Sequence, residues 1–249
     1  MLADMTINRS PKVTRRPAGE RGVSSLGWLD SRHSFSFGAY HDEDHPGYRS
    51  LRVINEDRVA PGKGFAAHPH RSMEILSYVV EGQLQHKDSL GNGRTIKAGE
   101  FQYMSAGAGV VHSEFNPDPE QPVHFLQIWI QPREQGGEPR YQDFDTAARR
   151  IPDGLALLAS PDGADGSAAI RQDARIYYGD LGAGKSFSVE PDAACPYAWV
   201  QVVRGSITVE GTPLMAGDGA AVEADTFAIS ADEASTFLLH MEYEFGWKG

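Results

Sequence analysis

Two pairs of side chains have the types and spacing to do chemistry. In GFAAHPHRSMEI, which runs from Gly64 to Ile75, His68 and His70 are separated by one residue. In GVVHSEFN, His112 and Glu114 have the same spacing. On a strand, residues i and i+2 point to the same face, so each pair aims two ligating groups at one place. Two antiparallel strands could bring the pairs face to face inside a barrel, with three neutral imidazoles and one carboxylate around one point. That donor set suits a divalent transition metal such as Fe, Cu, Ni, Mn or Zn, and the carboxylate favours a harder ion than thiolates would accept. Each pair alone is ordinary: His68-x-His70 fits a turn, and His112-x-Glu114 fits a solvated face. Together, in a glycine-bounded β frame, they point to a metal site.

The elements that must position these residues read as β-strands. HSFSFGAY alternates polar residues with Phe35 and Phe37. LRVINEDRVAPGKGF reads as a strand followed by a Pro61–Gly62 turn. MEILSYVVEGQLQHKDSLGNGRTIKAGEFQYMSAG reads as several short strands, separated at Glu81–Gly82, at Gly91–Asn92–Gly93 and at Ala98–Gly99. HFLQIWIQP is a further apolar run, stopped by Pro132. Residues 1–20 read as a polar tail or a first short strand. Residues 133–175 are polar and turn-rich, with a short helix or turn in TAARRIPDGLALLAS. Strand signals resume at RIYYGDL and continue to FLLHMEYEF. Short strands at this spacing predict an all-β protein of barrels or sandwiches.

The second half echoes the first. APGKGF pairs with GAGKSF, SYVVEGQLQ with VQVVRGSIT, IKAGEF with LMAGDG, and HFLQIWI with TFLLHME, in the same order. The expected organisation is therefore two tandem domains, residues 1–135 and 136–249, rather than a solenoid. The histidines are not duplicated: of the nine, only His240 lies beyond residue 124. SVEPDAACPYAW, the counterpart of AAHPHRSMEI, offers Glu190 and Asp192 but no histidine. The counterpart of VVHSEFN lies near TFAIS, which has only Thr226 and Ser230 as polar side chains.

The bulk composition narrows the function classes. With 249 residues, 40% hydrophobic and 23% charged, the chain is an ordinary soluble globular sequence. Its net charge of −11 gives no general attraction to phosphate, so direct nucleic-acid binding is not expected. Cys195 is the single cysteine, which forbids an intrachain disulfide and fits a reducing compartment; a small buried residue is the ordinary reading. No apolar run approaches the about 20 residues of a membrane helix, and the N-terminus lacks a signal-peptide core. The expected location is the bacterial cytoplasm, without membrane association.

GKGFAAHPHRSMEILSYVVEG resembles the first cupin motif: Gly62, His-x-His, a glutamate at Glu74 and a glycine at Gly82. AGEFQYMSAGAGVVHSEFN resembles the second, with Gly99, the Gly107–Gly109 turn, His112 and Asn116. More narrowly, HPH…ME, GEFQYMSAG and QIWIQP look like the pirin family, and within it the chain is most similar to bacterial pirin-like quercetin dioxygenases. GWLDSRHSFSF and LRVINEDRV fit the same branch. The resemblance is specific through residues 22–132 and weaker beyond. It implies a bicupin, two jelly-roll-like β-barrels facing each other with few short helices, and metal in the N-terminal barrel only. It carries the ligand roles to His68, His70, His112 and Glu114. In many other cupins the first-motif glutamate is a ligand, so Glu74 stands as the alternative ligand or as a partner behind the ligands. Fe is the expected ion, with Cu, Ni, Mn, Co and Zn as alternatives.

The implied reaction is oxidative ring cleavage of a flavonol such as quercetin by dioxygen, with loss of carbon monoxide. The substrate's 3-hydroxyl loses its proton and its oxyanion is stabilised by the metal, with Glu114 as catalytic general base. A competing reading is a metal- or redox-sensing regulator that binds partner proteins in transcriptional or metabolic control; a third is a cupin isomerase or storage-type binder. The enzyme predicts a pocket at the metal that an aromatic ligand can reach, and the regulator predicts a blocked one. A monomer is expected, because facing barrels cover each other's apolar surfaces. The remaining histidines have bland readings: His41 and His45 in a polar loop, His33 in packing, His86 and His124 as satisfied strand residues, His240 as structural. Phe35, Phe37, Phe65, Tyr103, Phe115 and Phe125 fit either a pocket or the barrel core.

Overall fold

The computed structural model describes residues 11–190 and 195–243; the start of the N-terminal tail and Asp192 lie outside the described residues. Its first half forms β1 (Lys12–Arg16), β2 (Gly22–Ser25), β3 (Leu29–His33), β4 (Leu51–Val59), β5 (Gly64–His70), β6 (Glu74–Glu81), β7 (Gln83–Asp88), β8 (Gly93–Lys97), β9 (Glu100–Ser105), β10 (Val110–Phe115), β11 (Val123–Ile130) and β12 (Arg140–Asp145). The second half forms β13 (Gly154–Ser160), β14 (Ala168–Ala169), β15 (Ala174–Leu181), β16 (Lys185–Val189), β17 (Tyr197–Arg204), β18 (Ser206–Val209), β19 (Thr212–Met215), β20 (Gly219–Glu223), β21 (Phe227–Ala231) and β22 (Ser235–Glu242). The helical content among the described residues is three short 3-10 turns, one of them Ala147–Arg149 within the stretch expected to hold a helix or turn. No helix among these residues is long and apolar enough to cross a membrane.

Each half pairs a seven-stranded sheet with a four-stranded one. The first half has the orders β12-β9-β6-β11-β4-β3-β2 and β5-β10-β7-β8; the second has β1-β20-β17-β22-β15-β13-β14 and β16-β21-β18-β19. Strand for strand the two orders correspond, which gives the sequence echoes their structural meaning. Sheet membership nevertheless departs from a division at 135/136 in two places. β1 pairs with β20 in the second half's sheet, from Lys12↔Glu223 to Arg16↔Gly219. β12, beyond residue 135, pairs with β9 in the first half's sheet. Each large sheet thus has an edge strand drawn from across that division. Strand pairing is satisfied by backbone groups, so nothing in the side-chain pattern of VTRR or RYQDFD reported the exchange.

The large sheets pack on one another through a shared core. Leu76, Tyr78, Leu126 and Ile128 from the first half meet Ile176, Tyr178, Trp199 and Leu238 from the second. The opposite faces of the same strands line the interiors of the barrels: Val79 and Phe125 belong to a separate cluster in the first, and Val200 and Leu239 to one in the second. β6 is therefore buried on both sides, which explains why EILSYVV reads as a continuous apolar run rather than an alternation. Each such Leu, Ile or Phe contributes about 1.5–3 kcal/mol of burial. Gly82 turns the chain between β6 and β7 at φ +77°, and a Cβ there would lie 2.7 Å from the Pro122 carbonyl oxygen.

The segment between β3 and β4 is fastened by one carboxylate. Asp42 Oδ2 accepts hydrogen bonds from Tyr40 Oη at 2.8 Å, from Arg16 at 3.0 Å and from His45 Nδ1 at 3.0 Å. Arg16 also donates to the Ser34 carbonyl at 3.1 Å, so β1 ties this loop to the second half's sheet. The HDEDHPG cluster is thus a bonded turn rather than a freely solvated loop. The Tyr40 hydroxyl, followed by His45, holds the Asp42 carboxyl down to a pKa of about 2, against an opposing effect of burial. Because the folded value lies below the unfolded one, its stabilisation is complete above the ordinary carboxylate range and is lost as pH falls. Asp42→Asn is expected to cost about 1–3 kcal/mol at neutral pH, seen as a lower Tm. The Tm difference from wild type should vanish as the pH is lowered from about 4 to 2.

Candidate metal centre

The two motif strands are neighbours in one sheet rather than opposite walls of the barrel. β10 pairs antiparallel with β5, setting His112 directly across from His68 and Val110 across from His70. Pro69 is tolerated because β5 is the edge strand of that sheet. The register slips between His112 and Glu114, which stands opposite Phe65, so β5 carries one extra residue there. The strands approach closely at this end: a Cβ on Gly64 would lie 2.2 Å from the Glu114 carbonyl oxygen, so only glycine fits.

This pairing converges three imidazoles. The ring centroids of His68, His70 and His112 are 4.5–4.9 Å apart, and one nitrogen from each lies within 4.8 Å of the others. His68 Nδ1 donates to the Ala66 carbonyl at 2.7 Å, which leaves its Nε2 lone pair facing His112 Nε2 at 3.0 Å. His70 Nε2 is buried without a hydrogen-bond partner. Burial holds the His70 pKa down to about 4 and the His112 pKa to about 3, with neighbouring imidazoles adding to the effect. An orphaned His70 Nε2 beside the facing Nε2 atoms of His68 and His112 is a spacing that fits a divalent cation. Glu114 belongs to an overlapping group with His112 and His86. His86, expected to be an ordinary strand residue, packs against His112 with Nδ1 atoms 3.4 Å apart, and its Nε2 lies 3.2 Å from Asp88 Oδ2.

The Glu114 carboxylate is 2% exposed and is held by three strands. Gln102 on β9 donates to Oε1 at 2.9 Å, Ser77 on β6 to Oε1 at 3.2 Å, and Gln127 on β11 to Oε2 at 2.7 Å. Ser77 also lies 2.6 Å from Gln127 Oε1. Donors to both oxygens fix the plane of the group.

Glu74 points the other way. On β6 it shares the face of Leu76 and Tyr78, toward the second barrel. Its carboxylate accepts hydrogen bonds from Tyr103 Oη, from Ser105 Oγ at 2.7 Å and from the Arg171 backbone N–H at 3.1 Å. It is a buried clamp between the halves, on the face of β6 that packs against the second barrel.

Beside the histidines lies a cavity of about 320 Å3, lined by His68, His70 and Glu114, by apolar Leu26, Leu29, Phe37, Phe65 and Trp129, and by polar residues of β3, β4 and β11. Of the six aromatics considered from sequence, Phe37 and Phe65 line it. Phe35 and Tyr103 are in the core between the barrels, and Phe125 is in the first barrel's core. Trp129, edge-on to His70 at 4.8 Å, was missed, as were Ser77, Gln102, Gln127 and His86. Their signal is a polar residue inside an apolar run, as in EILSYVV and FLQIWI, since a buried polar group needs a partner. His33 does more than pack: it lines the cavity, with Nδ1 2.7 Å from Asn55 Oδ1 and Nε2 2.8 Å from Ser24 Oγ. His124 contacts Glu56 at 2.9 Å and His240 contacts Glu242 at 3.3 Å, both away from the cavity.

In the second barrel, β16 and β21 occupy the places of β5 and β10. Phe187↔Ile229 and Val189↔Phe227 fill the corresponding space with apolar side chains. Metal analysis of variants separates these roles. His112→Ala should lose stoichiometric metal, and Gln102→Leu should weaken binding about 10–100-fold. Glu74→Gln should keep full metal content while losing about 1–3 kcal/mol of stability.

Comparison with known proteins agrees with this architecture. A model of the pirin family matches residues 14–130, and a model of the quercetinase C-terminal cupin domain matches residues 157–241. A quercetin 2,3-dioxygenase from Escherichia coli strain K12 is 45% identical over 227 residues, covering 90% of this chain and 96% of that one. The crystal structure of YhhW from Escherichia coli superimposes with a TM-score of 0.88 at 41% identity, covering 95% of this chain and all (100%) of that one. A structure of bacterial pirin YhhW in complex with nickel(II) gives 0.88 at 42% identity, with 93% and 99% covered. With its paired barrels and its histidine cluster confined to the first, the chain belongs to the pirin family.

Proposed function

We propose that this protein is a metal-dependent dioxygenase that opens the heterocyclic ring of a flavonol such as quercetin and releases carbon monoxide. In this reading His68, His70, His112 and Glu114 are the ligands, and Fe is the working ion. The observation that carries the proposal is the cavity against His68, His70 and Glu114, since its volume falls in the range of small-molecule sites. An open cavity at the ligands favours the enzyme over a sensor whose pocket is blocked. The nickel complex of the related pirin supports a divalent ion at this cluster, although affinity order alone favours nickel or copper over iron.

When bound, the metal supplies charge to stabilise a substrate oxyanion and, if redox-active, a route for electron exchange with dioxygen. The chain's own residues do the rest. Ser77, Gln102 and Gln127 hold the Glu114 carboxylate in a fixed orientation. Leu26, Leu29, Phe37, Phe65 and Trp129 offer flat apolar walls to an aromatic ligand and exclude water. The three hydrogen bonds tie both carboxylate oxygens of Glu114 to the sheet, which leaves it placed to orient rather than to move.

Metal-depleted protein reloaded with Fe(II) should bleach the flavonol absorbance when air is admitted to an anaerobic mixture with quercetin, with carbon monoxide in the headspace. His112→Ala should show neither effect. Unchanged absorbance with every one of Fe, Cu, Ni, Mn, Co and Zn would sink the flavonol reading.

A further inference from the structure

The cavity holds a second carboxyl that the ligand set does not use. Asp57 lies on β4, opposite Ser31 on β3 and Phe125 on β11. Its side chain is in the cavity wall with Ser31, His33 and Asn55, all at alternating positions of β3 and β4. It is 4% exposed, and its Oδ1 is buried with no hydrogen-bond partner. Ser31 stands directly across from it on β3. A buried acceptor left unpaired is destabilising, so its position in a ligand cavity calls for a donor brought by the ligand.

We propose that Asp57 is the catalytic base of this pocket: its Oδ1 accepts the proton of a substrate phenolic or enolic hydroxyl as that oxygen becomes an anion. The substrate O–H bond breaks, an O–H bond forms at Oδ1, and the electron pair stays on the substrate oxygen. Nothing is oxidised in this step, and the proton passes to water after product leaves. The inference rests on the enzymatic reading but assigns the proton to a group other than Glu114.

The surroundings suit the task. Burial, opposed by the Ser31 side chain and reinforced by the charges of Glu114, Glu56 and Asp30, raises the Asp57 pKa to about 7. The other titratable groups of the cavity are His68, His70 and His33, and burial lowers the pKa of the latter two. Glu56 is engaged on the other side of β4 by Arg21 and His124. A base with a pKa near the working pH is the effective kind.

The test reads proton removal apart from turnover. Fe(II)-loaded protein is titrated anaerobically with quercetin across pH, and the long-wavelength band of the ionised flavonol is followed. Wild type should form the band near neutral pH; Asp57→Asn, with unchanged metal content, should need about one pH unit more or higher. In air, kcat/KM should fall about 100-fold in Asp57→Asn, and the acid limb at about 7 should disappear. Ser31→Ala keeps the carboxyl and should move that limb upward. A band that forms only in wild type without dioxygen uptake upholds Asp57 and rejects the dioxygenase reading. Equal bands in both proteins, no band in wild type, or a limb unmoved by Ser31→Ala would overturn the assignment.

Discussion

A carboxylate almost sealed from water must be met by donors, and Glu114 imposes that requirement on the whole first barrel. Its three partners come from β6, β9 and β11, three strands of the large sheet facing it. Each of those strands must turn one polar side chain inward at the right height while staying in register with its neighbours. A one-residue slip would send Ser77, Gln102 or Gln127 to the opposite face and leave the anion uncompensated. Register in this sheet is therefore a condition of the site.

The second barrel secures that register. The outward side chains of the same strands, Leu76, Tyr78, Tyr103, Leu126 and Ile128, are buried against the second half. Glu74 adds a polar tie by accepting the Arg171 N–H across the interface. A sheet buried on both faces has no tolerant side, so neither the polar network nor the apolar core can shift without the other. This gives the ligand-free barrel a function: it is the mould against which the site-bearing sheet is set, with Phe227 and Ile229 packed where ligands would otherwise stand.

Much of this was legible in the sequence because i, i+2 spacing is a geometric fact about strands. The convergence of His68, His70 and His112 follows from it, and so does the all-β class from the turn spacing; Glu114 falls in the overlapping group with His112 and His86. Three features were not legible. The strands β5 and β10 turned out to be hydrogen-bonded neighbours, since spacing fixes a face but not a partner. Glu74 has the residue type of a ligand, but one extra position of parity along β6 turns it to the outer face. His86 and Asp57 lie outside the two motifs, and only pairing of distant strands brings them beside His112 and the cavity.

The exchange of edge strands has a consequence for how the chain reaches its native state. β1 and its partner β20 lie far apart along the chain, yet they pair from Lys12↔Glu223 to Arg16↔Gly219. Until β20 is in place, β1 has no ladder to join, and the sheet that receives it keeps an open edge. Contacts between such remote segments close last and slow folding, because the intervening chain must be ordered before they form. Arg16, at the end of β1, then latches the Ser34 carbonyl and Asp42 beside the cavity. The loop beside the cavity is thus steadied by a strand that belongs to the other half's sheet, so the surroundings of the site depend on a pairing made far from it in sequence.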